Sequence, residues 1–335
     1  MASLLSSFGH SDLIDFFNEI GVLTFSTHDG WCYPLSESAQ TVVETFANAL
    51  RLAGVELVLN TKVTAIRKTS TGFDLDLSTG ATLSTQRLIV AAGGKAYPTL
   101  GSRGELFPSL KALGHTVLPL RPALAPVTCD MKPYKGLSGI RFDARASLLE
   151  NDALLAETTG NLIFTDYGLN GPAVMDLSHH VSARPSARLD LSLNPLFAAE
   201  PALRELIAHK RSIPTPLRTL LGAALPPKLV PVLLTRAGLQ VEALVNQVNE
   251  DQLGKLFRVC TALPFRVTGV RGFEYCQVSA GGGPVTEVDP LNMRSLLVPG
   301  LSLAGETHDV VGPCGGYNLQ FAFSSGALAG MHASD

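Results

Sequence analysis

Leu303-Ala-Gly-Glu-Thr-His-Asp-Val-Val-Gly-Pro-Cys-Gly-Gly-Tyr-Asn-Leu-Gln-Phe-Ala-Phe-Ser-Ser-Gly-Ala-Leu-Ala-Gly330 closes the chain with an apolar run, two acidic residues, a glycine-rich turn and a helix of small residues. The run leads through Gly305 to Glu306 and Asp309. Gly312, Gly315 and Gly316 make the turn, and Tyr317, Asn318 and Leu319 open the helix. A strand end and a helix N-terminus facing one space suit a large, electron-rich ligand. Glycine lets backbone approach it, the first helical N–H groups lack partners and carry the positive end of the dipole, and a carboxylate can hold hydroxyls. The same residues also suit a strand–loop–helix whose glycines serve packing alone.

Two further stretches have the same character. Leu88-Ile-Val-Ala-Ala-Gly-Gly-Lys-Ala-Tyr-Pro-Thr-Leu-Gly101 is a buried-strand run that ends on small residues, Ala92, Gly93 and Gly94, where a nucleotide can lie against backbone. Taken alone, Gly93-Gly94 marks a turn. Lys62-Val63-Thr-Ala-Ile66 opens another strand. A dinucleotide fold also needs a βαβ unit whose Gly-x-Gly-x-x-Gly turn receives the pyrophosphate. That fingerprint is absent: Gly9, Gly21 and Gly30 are the early glycines, and no buried strand leads into any of them.

Composition narrows the class. The 335 residues are 46% hydrophobic and 16% charged, which is globular rather than disordered. A net charge of −3 offers no basic excess to neutralise phosphates, so no nucleic-acid partner is expected. The cysteines, Cys32, Cys129, Cys260, Cys276 and Cys314, are odd in number and include no C-x-x-C pair. No disulfide framework or metal site is expected, and a reducing cytoplasm fits. The first residues have no signal-peptide pattern, and no run approaches the roughly 20 apolar residues of a membrane span.

Along the chain, Ser11 is expected to cap a short helix ending near Gly21, and Ser36 to begin a stronger one that stops at Gly54. Val55–Leu59, Val63–Lys68 and Phe73–Leu77 read as strands, with a turn at Thr79-Gly80. A helix is expected near Glu105–Leu113. Pro119, Pro122 and Pro126 then mark a crossing. Strands are expected at Phe142–Leu149, Leu162–Thr165 and Ala187–Leu193, and Gly171-Pro172 opens a helix. Residues 197–262 read as helical. Phe265–Val270 and Tyr275–Ser279 return to strand, before Gly281-Gly-Gly283-Pro284. His179-His180 has no third ligand at metal spacing and reads as a solvated helix end.

The closing segment resembles the flavin-binding stretch of the YhiN/BaiN-type NAD(P)/FAD-dependent oxidoreductases, in the two-dinucleotide-binding flavoprotein group. Ala91 to Gly101 is similar to that family's Ala-Gly-Gly segment, although its usual Gly-Asp-Gly-Tyr is replaced by Gly104-Glu105-Leu106-Phe107. Gly160-Asn-Leu-Ile-Phe-Thr-Asp-Tyr-Gly-Leu-Asn-Gly-Pro172 is similar to a second signature, with Asp166 for the common His and Asn170 for the common Ser.

The resemblance implies an α/β fold. A Rossmann-like FAD-binding domain, N-terminally incomplete, forms from residues 1–120 and 278–335. An α+β insertion interrupts it at 121–277, β-rich over 121–195 and helical over 196–262, and acts as a substrate or cap domain. It implies that Val63 clamps the adenine through its backbone; an edge-strand valine is the competing account. It also implies that Ala92, Gly93 and Gly94 pass the flavin site, that Glu306 or Asp309 binds the ribityl chain, that Gly305, Gly315, Gly316 and Tyr317 belong to the cofactor site, and that Asn318 and Leu319 present backbone amides to the ring. A local turn cap is the alternative for Asp309.

The implied activity is hydride transfer through flavin N5 between NAD(P)H and a small organic substrate, in a pocket beside the insertion. No catalytic acid or base is singled out, with His308 and Tyr97 the first to test and Cys314 a small buried filler. Residue 1 is expected to fall after the family's first βαβ unit, so the chain expressed alone is expected to purify colourless or to aggregate. The alternative is a remnant without catalysis that acts as a binding or interaction module. A flavin-dependent RNA-modifying enzyme is a further alternative by fold analogy, against which the missing basic excess counts.

Overall fold

The computed structural model describes residues 2–28, 30–184, 187–193, 200–210 and 212–334. Residues 197–199 of the expected helical stretch lie outside them. The chain divides into two compact units, one of Met1–Leu120 with Val278–Asp335 and one of Arg121–Gln277.

In the first unit, Leu301–Leu303 runs parallel to Leu88–Val90, pairing Leu301 with Leu88 and Leu303 with Val90. These strands point their C-terminal ends, Ala91–Gly94 and Ala304–Glu306, the same way. This is the arrangement in which an α/β sheet presents a ligand site. A separate antiparallel sheet joins Val63–Lys68, Phe73–Leu77 and Thr82–Thr85. The closing helix, Tyr317–Met331, buries Phe321, Ser324, Ser325, Leu328 and Ala329. Phe323 on that helix meets Phe17 edge-on, with ring centroids 5.3 Å apart, and stacks on Phe46 at 5.9 Å. These contacts tie the helices His10–Ile20 and Ala39–Leu52 to it.

Several local expectations need correction. The first of those helices is capped at Gly9, whose N–H donates to Asp12 Oδ2 at 2.8 Å, rather than at Ser11. The second is capped by Ser38, whose Oγ accepts the Thr41 N–H, rather than at Ser36. Val55–Leu59 is not a strand. Among the described residues no strand pairs with it, and Val55, Leu57, Val58 and Leu59 are exposed; β propensity without a ladder partner does not make a strand. The strand expected at Tyr275–Ser279 runs instead over Val278–Gly282.

The second unit is built on a closed barrel. Its six strands follow one another in the order Ala153–Thr165, Gly168–Asn170, Val127–Cys129, Leu263–Val270, Arg188–Leu193 and Arg141–Glu150, all antiparallel. The barrel thus recruits Leu263–Val270 from beyond the stretch read as β-rich. Alternation explains the closure: Ala144, Ala146 and Leu148 point inward, as do Leu189, Leu191 and Leu193, all fully buried. Gly171, at φ 97°, introduces Pro172–Met175; a Cβ there would lie 2.5 Å from Asn161 O, so only glycine fits. The helices Leu217–Gly222, Val230–Arg236 and Glu250–Thr261 add Leu221, Leu233, Leu256 and Phe257 to the same core. Burial pushes the Cys129 and Cys260 thiols up to about 12, which leaves them inert fillers.

Candidate functional site

At the C-terminal ends of the parallel strands lies a cavity of about 250 Å³. Val63, Ala92, Gly93, Ser102, Phe107 and Thr307 are among the residues that line it. Gly93 has φ 73° and nothing within 4 Å of where a Cβ would project. Sequence reasoning named Val63, Ala92 and Gly93 but missed Thr307. The Thr307 hydroxyl is buried and has no hydrogen-bond partner among the described residues. A buried donor of this kind is costly unless a ligand or water meets it. No motif flags a threonine in such a position; only the tertiary packing does.

The turn at the cavity rim survives the change to Gly104-Glu105-Leu106-Phe107. Gly104 takes φ 78°, the Arg103 N–H donates to Glu105 Oε2 at 2.7 Å, and the helix Phe107–Ala112 follows. That N–H, ahead of the exposed Lys62 ammonium 3.2 Å from Oε1, holds the Glu105 carboxyl below its usual range.

The acidic pair is partly committed to the protein itself. Glu306 Oε1 accepts the Ser279 N–H at 2.6 Å, and Asp309 Oδ1 accepts the Gly281 N–H at 2.7 Å. Burial pushes the Glu306 carboxyl up, an effect partly offset by the Ser279 bonds. Gly94 lies against this knot. A Cβ on it would lie 2.5 Å from Glu306 Oε1 and 2.8 Å from Ser279 Oγ, and that Oγ also accepts the Lys95 N–H at 2.7 Å.

Gly305 is buried at φ 64°, and its N–H donates to Ser325 Oγ at 2.9 Å, seating the strand end on the closing helix. Gly316 caps that helix at φ 90°, after Gly315 at φ 126°. The Asn318 side chain folds the loop back by accepting the Gly312 N–H at 2.8 Å and donating to the Gly312 carbonyl at 3.0 Å. The first backbone acceptor contact in the helix is Gln320 N–H to Gly316 O at 2.9 Å. The amides of Tyr317, Asn318 and Leu319 have no protein acceptor among the described residues, and the side chains of Tyr317 and Leu319 are exposed.

His308 is one of the two side chains to test first as proton donors. It is wholly buried, its Nε2 donates to Leu303 O at 3.2 Å, and burial lowers its pKa so that it stays neutral. Tyr97 remains exposed, with its backbone at φ 46°. None of the five cysteines forms a disulfide. Among the described residues no group of His, Cys, Asp or Glu could hold a metal, His179-His180 included, and no helix is long and apolar enough to cross a membrane.

The cavity thus brings together Val63, Ala92, Gly93 and the unmet Thr307 hydroxyl, while the closing helix separately presents unpaired N-terminal amides. The family described as HI0933-like protein Rossmann domain matches residues 1–332. The chain is 31% identical to the 3-dehydro-bile acid delta(4,6)-reductase of Clostridium scindens, over 99% of this chain and 82% of that protein. It is also 31% identical to the ribosomal RNA dihydrouridine synthase of Escherichia coli, over 96% and 79%, and 27% identical to that of Haemophilus influenzae, over 99% and 82%. With relatives of the second kind, a net charge of −3 no longer supports excluding a nucleic-acid partner. The match along nearly its whole length places this chain in the HI0933-like, YhiN/BaiN-type flavoprotein Rossmann family.

Proposed function

We propose that the protein is an FAD-dependent oxidoreductase that saturates a carbon–carbon double bond. The observation that carries this reading is the cavity where Val63, Ala92, Gly93 and the unpartnered Thr307 hydroxyl meet, with Glu306 close behind Gly94. The names of its bile-acid and ribosomal RNA relatives both describe reductive chemistry of this class. When bound, the flavin supplies hydride exchange through N5, with NAD(P)H as electron donor.

The chain's own residues do the rest. The Val63 backbone holds the adenine, and Ala92 and Gly93 keep side chains out of the nucleotide's way. Glu306 and Asp309 each engage one carboxylate oxygen with backbone, leaving the other to accept a ribityl hydroxyl. The amides of Tyr317, Asn318 and Leu319 meet the electron-rich edge of the ring. A helix N-terminus there favours the reduced, anionic flavin by about 0.3–1 kcal/mol when exposed and up to ~2 when partly buried.

Ala92 tests the reading because it lines the cavity yet is exposed, so Ala92→Trp fills the space without touching the core. Titration of FAD, followed by flavin fluorescence, is expected to give saturable binding that Ala92→Trp weakens at least tenfold with an unchanged melting curve. Equal affinity in the two proteins, or no binding in either, would overturn the proposal.

A further inference from the structure

The net charge of −3 conceals an uneven distribution. Arg121–Gln277 carries 17 Lys and Arg against 14 Asp and Glu, a balance of +3; the rest of the chain carries 9 against 15, a balance of −6. The positive unit also contains a cavity of about 540 Å³, lined by Arg188, Arg236 and Arg266 together with Tyr134, Phe265 and Asp130.

The three arginines come from separate elements. Arg188 and Arg266 are register partners across the antiparallel ladder, and Arg236 ends the helix Val230–Arg236. Like charges directly opposite each other in a ladder repel, so packing alone gives no reason to add a third. Arg188 is neutralised, with Nε 2.9 Å from Asp190 Oδ1 and a terminal nitrogen 2.9 Å from Asp152 Oδ1. Arg236 lies 5.2 Å over the Tyr134 ring, and neither it nor Arg266 has a carboxylate partner among the described residues. Asp130 is the counter-charge on the wall, and its Oδ1 already accepts the Lys132 N–H at 3.1 Å. Beneath them the floor is rigid: Tyr134 stacks on Phe265 at 4.2 Å and its hydroxyl donates to Pro264 O.

We infer that this arginine cavity is a phosphate-binding site. Two unpaired guanidinium forks approaching from different elements suit an anion with three or four oxygens, whereas a carboxylate is satisfied by a single fork. The volume accommodates a phosphate group together with part of the molecule that carries it. The site lies wholly within Arg121–Gln277 and goes beyond the flavin reading; its test involves neither flavin nor turnover. The phosphate belongs either to an RNA backbone or to a free phosphorylated metabolite.

The double variant Arg236→Gln/Arg266→Gln in the full chain separates these sources. Arg218→Gln, an exposed residue paired with Glu242, is the control. The probes are a fluorescein-labelled single-stranded RNA 12-mer, read by anisotropy over a salt series, and inorganic pyrophosphate, read by calorimetry. If RNA is the source, the double variant binds the 12-mer at least tenfold more weakly. The log–log salt slope then falls by about 1.4, since each single-strand phosphate contact contributes about 0.7. The control variant binds like wild type, and all melting curves coincide. If a metabolite is the source, pyrophosphate binding is lost in the double variant while RNA binding is unchanged. Identical behaviour of wild type and double variant toward both probes, or binding of neither probe by wild type, overturns the site.

Discussion

The two units treat their apolar residues differently. In Arg121–Gln277 one continuous core holds 37 buried residues, and only Leu154, Ile213 and Tyr275 among the described residues are large apolar side chains left exposed. In the other unit the main core holds 16, while 24 large apolar residues are exposed, both among the described residues. The barrel is closed, so it has no edge and both ends of every ladder are satisfied. The parallel sheet has two strands, and elsewhere in the unit Val55, Leu57, Val58 and Leu59 are exposed. A closed barrel buries its apolar residues without help from elsewhere, whereas the other unit leaves many large apolar side chains in solvent.

The sharpest way to break this contrast is in the barrel. Phe164 is fully buried among Tyr134, Phe142 and Phe265. Phe164→Ala is expected to lower unfolding free energy by about 3–5 kcal/mol in urea denaturation; a loss under 1 kcal/mol would mean that the core is not the continuous body described.

In the other unit, His115 is a buried polar tie between distant segments. Its Nδ1 lies 2.8 Å from Glu287 Oε2 and its Nε2 2.8 Å from Ser295 Oγ, with the ring buried. Ser295 Oγ also accepts the N–H groups of Leu297 and Val298, so it is a structural acceptor rather than a nucleophile. His115→Ala removes one hydrogen-bond partner from each of Glu287 and Ser295 and is expected to cost about 1–3 kcal/mol. Burial pushes the Glu287 carboxyl up, but hydrogen bonds from Thr116 and His115 outweigh it and hold the pKa below the ordinary value. Its contribution is therefore present above that value and lost as pH falls through the folded one. An acid titration of Glu287→Gln should lack this limb, and an unchanged limb would assign it elsewhere.

Glu306 has the opposite sign. Its folded pKa is raised, so its stabilising contribution is full below the unfolded value and lost as pH rises through the folded one. Glu306→Gln keeps an acceptor for the Ser279 N–H and removes the ionisation. The variant is expected to unfold at higher denaturant than wild type at pH 7, with the gap closing as pH falls. A gap that widens on acidification would refute the burial argument. The smallest effect is expected at Leu59, 73% exposed, where Leu59→Ser should change stability by no more than about 0.5 kcal/mol. A larger loss in the same denaturation assay would show that Leu59 is already covered.

Sequence patterns located Val63–Lys68, Phe73–Leu77 and the Gly171-Pro172 helix start, because alternation, turn residues and proline act through neighbours a few positions away. They also picked out Val63, Ala92 and Gly93, which line one cavity, and the unpaired amides after Gly316. The same local rules misplaced the caps at Ser11 and Ser36, where several polar residues compete within one turn, and made a strand of Val55–Leu59, which lacks a ladder partner.

Non-local packing decided the rest. Leu263–Val270 closes a barrel begun at Val127, 136 positions earlier. Glu306 and Ser279 require glycine at position 94, Thr307 loses its partners by burial, and Arg188 and Arg266 face each other because two distant strands share a register. Residue types and spacing determine which backbone conformations are cheap, and so the family and its glycine-lined site are legible in them. Burial, charge proximity and unmet hydrogen bonds depend on which distant segments meet, and only the folded chain brings those together.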